Sequence, residues 1–215
     1  MSKHLSDIES QSIKPIIILD FDDTIFPSSW LASININRHS SDISENHFLE
    51  IQKLDDIIFN FINSICDSSI IYIISNSDSY RIHSNSQKFL PKSYPLFLKC
   101  IIISSRDLHS ESHPDNPELW KKLTFTTLLD YLVQKFAPFN SFFNILSLGD
   151  QINDRDCLFF ASSPHQHIIN AKSIKFISKP SVDLIYKQIQ FVHSHLNSIL
   201  DYNNNLDIMI NLEYL

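Results

Sequence analysis

Apolar residues along this chain fall into two rhythms. Short, mostly apolar runs at Pro15 to Leu19, Ser69 to Ile74, Cys100 to Ile103, Phe142 to Leu148 and Ile174 to Ile177 predict five strands of a buried parallel sheet. Between them, spacings of three and four predict helices. Phe48, Ile51, Leu54, Ile58, Phe61 and Ile65 form one stripe over Glu45 to Cys66; Ile185, Ile189, Val192, Leu196 and Ile199 form another over Val182 to Leu200. Asn116-Pro117 reads as a cap with proline in the first turn, opening a helix from about Glu118 to Phe136. Tyr80 to Leu98, interrupted by Pro91 and Pro95, reads as a mixed helical or irregular connection.

Strands alternating with helices predict a three-layer α/β/α, Rossmann-like domain around a parallel sheet of five main strands. It is expected to span residues 14–201, after a polar N-terminal tail (1–13) and before a C-terminal segment (202–215) whose role the pattern does not reveal.

Polar residues begin abruptly where four of the strands end. The signatures are Asp20/Asp22/Thr24, Ser75-Asn76, Ser104-Ser105-Arg106-Asp107, and Gly149-Asp150 with Asp154. In a parallel sheet these ends share one edge, where ligands bind. Asp20, Asp22 and Asp23 place three carboxylates within four residues. Each pair of such charges about 4 Å apart costs roughly 4 kcal/mol at an effective dielectric near 20, so a cation is the natural remedy. A metal bridging Asp20 and Asp150 would relieve the repulsion, and all-oxygen ligands suggest Mg²⁺. Lys121 and Lys122 each lie roughly 50° from the centre of the apolar face of their helix, so periodicity does not choose between them.

Gly149 is the sole glycine of the chain. Its retention between a strand and Asp150 suggests either a close backbone approach or positive φ.

Composition narrows the classes. The chain has 215 residues, enough for one sizeable core, with 43% hydrophobic and 12% aromatic residues, which excludes a disordered polymer. A net charge of -7 without a local Lys/Arg cluster argues against nucleic acid as a partner. Cys66, Cys100 and Cys157 are odd in number and unpatterned, as expected of reduced thiols in a cytoplasmic protein. No apolar run approaches the length of a membrane span, and Met1 to Lys14 lacks an apolar core, so neither membrane insertion nor a leader is expected. His165-x-His167 and His193-x-His195 complete no ligand set for zinc and are expected to be structural.

The ordered set Asp20-x-Asp22-x-Thr24, Ser75, a lysine before the fourth strand, and Gly149-Asp150-x-x-x-Asp154 resembles the haloacid dehalogenase superfamily over roughly residues 14–200. Trp120-Lys121 and the stretch from Asp22 to Pro27 also resemble an uncharacterised branch of it found in protists and plants. The resemblance implies a phosphatase-type member: a Mg²⁺-dependent phosphohydrolase working through an aspartyl-phosphate. Asp20 would be the nucleophile, and Asp22 the general acid and then base. Ser75, Asn76 and Lys121, preferred on this ground over Lys122, would hold the phosphoryl group. The metal would take Asp20, the Asp22 carbonyl and Asp150. Asp154 would orient the lysine or a metal-bound water, and Thr24 and Gly149 would support the loop. An aspartate at position 22 resembles phosphatases and phosphomutases rather than dehalogenases. In receiver domains the phosphorylated aspartate stands on a later strand and lysine comes last, which the order here contradicts.

The resemblance also implies a capless, open site. Ile25 to Ser68 holds only a short flap and one helix, and Arg106 to Asn116 only a loop. Open sites of this family act on macromolecules such as phosphoproteins or are closed by a neighbouring subunit, so the expected partner is a phosphorylated small molecule or protein, with a homo-oligomer as one way to close the site. Trp30, Asn76, Arg81 and Arg106 are candidate substrate contacts. A phosphate- or Mg²⁺-binding interaction protein with little turnover is the alternative on the same fold.

Overall fold

The computed structural model of the chain describes residues 13–136 and 142–215; the expected N-terminal tail lies almost wholly outside the described residues. Six strands form one parallel sheet: β1 (Ile16–Leu19), β2 (Ile70–Ser75), β3 (Ile101–Ser104), β4 (Phe143–Gly149), β5 (Ile169–Lys175) and β6 (Leu206–Met209). Their order is β3-β2-β1-β4-β5-β6, so the chain reverses its direction of winding between β1 and β4. At such a switch point the strand ends part and leave a crevice.

Side chains alternate across β1 with the period of two that an extended chain imposes. Ile17 and Leu19 enter the core shared with α2 (Glu45–Ile65) and α8 (Val182–Asp201), and Ile16 and Ile18 enter the one shared with α6 (Pro117–Phe136) and α7 (Ile152–Ser162). All four are buried, and the expected three layers result. The stripe on α2 does what its spacing requires: Ile51, Leu54, Ile58, Phe61 and Ile65 are buried, while Phe48 stays exposed near the helix start. The connection after β2 resolves into α3 (Ser79–Phe89) and the short α4 (Tyr94–Phe97). Buried Asp55 of α2 holds the turn between them, accepting from the backbone N–H groups of Lys92 and Ser93. Between Asp23 and α2 lies only the six-residue α1 (Ser28–Ser33), and between β3 and α6 only the five-residue α5 (Ser105–His109), so the strand edge is left without a large cap.

Three elements differ from the sequence-based expectation. The fifth strand is Ile169–Lys175 rather than Ile174 to Ile177. Its start is disguised by Asn170, Lys172 and Ser173, polar residues in an inner strand. Lys172 is fully buried because its ammonium caps α8, donating to the carbonyls of Ile199 and Leu200 at 2.7 Å each. Burial there pulls its pKa down to about 8, with Asp201 opposing. The second difference is α7, where no helix is expected from the pattern; buried Asp154 breaks its apolar stripe.

The third is the C-terminal segment, which is not a tail. Leu206 to Met209 pairs in parallel with Lys172 to Lys175, and Asn205 accepts from the Ala171 N–H at 2.8 Å. Arg155 of α7 forks onto the Asp207 carboxylate, clamping β6 to the helix beside it. The sheet therefore continues beyond the boundary expected at residue 201.

Candidate active site

Asp20 follows β1 directly, and its N–H continues the ladder to the Leu148 carbonyl of β4 at 2.9 Å. This places it beside Gly149 and Asp150 at the crevice. Its side chain is held at both oxygens. Lys121 Nζ donates to Oδ1 at 2.6 Å, and Thr24 Oγ1 donates to Oδ2 at 3.1 Å. Thr24 thus touches the carboxylate itself rather than only bracing the loop.

Lys121 reaches the site from the first turns of α6 and is buried. It is also paired with Asp154 Oδ1, while Asp154 Oδ2 accepts from the Gln151 N–H at 3.1 Å and so closes a capping box at the start of α7. Lys122, which periodicity left as an equal candidate, points elsewhere: its ammonium lies 3.6 Å from the centroid of the Phe160 ring. Packing of α6 against α7 separates the two lysines.

Carboxylate oxygens of Asp20, Asp150 and Asp154 lie within 4.8 Å of one another, and all three residues are buried. With Lys121 as the only cation among the described residues paired to them, the fully ionised cluster carries an excess of two negative charges. The titration behaviour reflects that excess. Burial raises the Asp20 carboxyl well above its usual range, with Lys121 opposing and Asp154 and Asp22 adding to the rise. Asp150 is pushed up to about 7 by burial, then by Asp154 and Asp23. Burial works against the charge on Lys121, but Asp154 and Asp20 outweigh it and hold the ammonium more basic than an ordinary lysine. Hard oxygen donors with surplus negative charge fit Mg²⁺, which dehydrates reluctantly and takes carboxylates together with water. The donor set gathered here is Asp20, Asp150 and Asp154. It adds Asp154 to the expected ligands, and the Asp22 side chain is not part of it.

The Asp22 carboxylate turns instead toward three hydroxyls: Ser28 donates to Oδ1, while Ser75 and Ser77 donate to Oδ2 at 3.0 and 2.8 Å. Ser75 also accepts from the Ser77 N–H at 2.9 Å, so the end of β2 folds into a hydroxyl clamp around Asp22. Ser75, expected to meet a phosphoryl oxygen, engages Asp22 in this structure. Asn76 faces α6, its amide nitrogen donating to the Pro117 carbonyl at 3.0 Å.

Directly after Asp22 the chain turns sharply. Asp23 does so with φ 58°, its N–H donating to the Phe26 carbonyl at 2.6 Å and its carboxylate accepting from the Ser29 N–H at 2.8 Å. Aspartate tolerates this left-handed conformation by such local bonds. Asn35, Asp115 and Lys179 also take positive φ, whereas Gly149 does not. A Cβ on Gly149 would stand 2.4 Å from Cγ and Oδ2 of Asp154. Close approach, not positive φ, is therefore what this glycine provides.

The signature after β3 does not join the acids. Ser104 caps α5 by accepting from the Asp107 N–H at 2.9 Å, and Asp107 accepts from both the N–H and the hydroxyl of Ser79. Trp30 packs edge-on against His47 of α2, whereas Arg81 and Arg106 are exposed. His165 pairs with Asp130, and His195 bonds the Phe191 carbonyl one turn earlier in its own helix.

Sequence reasoning missed Ser28, Ser77 and Gln151, whose side-chain amide donates to Asp150. Serine is so frequent in this chain that no signal marks the two that hold Asp22. Gln151 was detectable as the cap position three residues before Asp154. Comparison with known protein families, with curated proteins and with solved structures finds no match for this chain.

Proposed function

We propose that the chain is a Mg²⁺-dependent phosphohydrolase of the haloacid dehalogenase type that cleaves phosphomonoesters through an aspartyl-phosphate on Asp20. The observation that carries this reading is the pairing of a buried Asp20, flanked by Lys121, Asp150 and Asp154, with a second carboxylate, Asp22, two residues later and outside the acid cluster. The two carboxylates stand in different surroundings, and a nucleophile and a general acid need that difference.

In this reading an oxygen of Asp20 attacks phosphorus, the bond from phosphorus to the ester oxygen breaks, and Asp22 gives that oxygen its proton. A water then attacks the same phosphorus, Asp22 takes the proton, and the bond to Asp20 breaks to release phosphate. Lys121 holds the Asp20 carboxylate in place and offers positive charge to the phosphoryl oxygens. Asp154 fixes the lysine, and Thr24 fixes the other Asp20 oxygen. Bound by Asp20, Asp150 and Asp154, Mg²⁺ would supply the charge that lets a dianionic phosphate approach three carboxylates. The hydroxyls of Ser28, Ser75 and Ser77 aim Asp22, and Ser75 is placed to exchange that bond for one to a phosphoryl oxygen.

Hydrolysis of p-nitrophenyl phosphate with and without Mg²⁺ tests the reading, which expects release of phosphate that chelation abolishes. The alternative, a phosphate-binding interaction protein with little turnover, is favoured by the saturation of Asp22 with three donors. It predicts retention of phosphate analogues without cleavage of any ester.

A further inference from the structure

Beside the acids, between α1 with the loop that follows it and α3, lies an open cleft of about 670 Å³. That volume suits a small molecule rather than a protein surface. Ser28, which bonds Asp22, and Phe26, which closes the turn after Asp23, both line it, so the cleft leads away from the site just described. Its charge is opposite to that of the chain. Arg38, His39 and Arg81 line it, no carboxylate does, and the chain as a whole carries -7. Among the described residues neither arginine pairs with an acid.

Arg38 is also held ready. Arg38 donates from Nε to His39 at 3.0 Å and lies over the Tyr80 ring, 5.0 Å from its centroid, which leaves its terminal nitrogens for a ligand. Lys88 of α3 spends its ammonium on the carbonyls of Arg38 and Ser40, at 3.0 and 2.5 Å, and so staples the Arg38 loop to the helix that carries Arg81. Asn35 turns the chain into this loop with φ 55°. The remainder of the lining is mixed: Leu31, Ile36 and Phe89 are apolar, while Asn35, Asn37 and Asn85 offer neutral hydrogen-bonding groups. A cleft of mixed lining with two guanidinium groups free of acidic partners matches a small ligand that carries an anion at its far end.

We infer that this cleft is a subsite for a second anionic group, so that the preferred substrates are small phosphomonoesters bearing a phosphate or carboxylate at a set distance from the reacting end. This rests on the phosphohydrolase reading for the reacting end and on the cleft alone for the other. It turns the exposed Arg81, a candidate contact from sequence, into one of a pair with Arg38.

The test uses three series of esters with spacers of two to eight carbons: α,ω-alkanediol bisphosphates, ω-carboxyalkyl phosphates, and plain alkyl phosphates. The expected result is a kcat/KM ratio of bifunctional to plain ester that peaks at one spacer length at about tenfold or more, the scale that charge-assisted contacts supply. In the double variant Arg38→Gln/Arg81→Gln the ratio falls to about two for the bisphosphates, the statistical factor for two identical ends, and to about one for the carboxyalkyl phosphates. The series with the larger ratio identifies the anion. A ratio flat across lengths, or a peak that survives in the double variant, overturns the subsite. If the wild-type chain cleaves no ester at all, the phosphohydrolase reading fails instead, and equilibrium binding of hexane-1,6-diol bisphosphate decides the subsite: a loss of about tenfold in the double variant supports it and equal affinity overturns it.

Discussion

Lys121 Nζ stands 2.6 Å from Asp20 Oδ1, joining residues 101 positions apart in the chain and both buried. Asp154 holds the same ammonium from the opposite side, so one lysine serves two carboxylates of a cluster of three.

The two adjacent lysines therefore have opposite expectations. Lys121→Met removes the cation that pairs with Asp20 and Asp154 and lowers kcat by about a hundredfold or more, as loss of a transition-state donor does. Lys122→Ala loses an exposed contact with Phe160 that is worth about 0.5–1 kcal/mol, and turnover stays within roughly twofold. Steady-state rates on p-nitrophenyl phosphate at saturating Mg²⁺ separate them. Similar losses in both would contradict the pairing.

Asp150 links the site to pH. Its folded pKa of about 7 lies above the unfolded value near 3.8, so its contribution to stability is fully present below the unfolded value and is lost as pH rises through about 7. In chelator at pH 8, Asp150→Asn should thus be more stable than the parent chain by roughly 2 kcal/mol, the difference closing toward pH 4. Urea unfolding at several pH values measures this. Because a metal requires the ionised form, Mg²⁺ binding should also strengthen from pH 6 to pH 8 by up to about tenfold and release a proton, which titration calorimetry in two buffers detects.

Gly149→Ala introduces a Cβ into the space of the Asp154 carboxylate. The displaced carboxylate cannot hold both Lys121 and the start of α7. A loss of about 1–3 kcal/mol in urea is expected, together with weaker Mg²⁺ binding. Unchanged stability would mean that the close approach does not constrain the site.

Ser77 positions Asp22 without taking part in the reaction. Ser77→Ala removes one of three donors from that carboxylate, and kcat should fall by about tenfold while KM changes little, since the hydroxyl serves the acid rather than the substrate. Ser77→Thr, which keeps the hydroxyl, should restore most of the rate. A rise in KM with constant kcat would place Ser77 against the substrate instead.

The strand ends were legible because they combine two independent signals, a predominantly apolar run and the polar cluster that stops it. Asp20, Thr24, Asp150 and Asp154 do meet at one edge for that reason. Tertiary packing hid the rest. Lys172 makes a buried strand look polar by capping a helix almost thirty residues later, and β6 alternates intermediate and exposed positions too weakly to announce a strand. Lys121 and Lys122 are equivalent on a helical wheel and become distinct only when α7 packs on α6. The hydroxyl clamp on Asp22 draws on Ser28, Ser75 and Ser77, and the distant pairing of a turn with a strand end leaves no local pattern.

The central claim is that Asp20 becomes phosphorylated during turnover. Acid quenching of the wild-type chain with radiolabelled p-nitrophenyl phosphate and Mg²⁺, followed by peptide mapping, should place acid-stable, hydroxylamine-sensitive label on the peptide that contains Asp20, and none on the Asp20→Asn variant. Phosphate release by Asp20→Asn at the wild-type rate, or label on a different peptide, would contradict it.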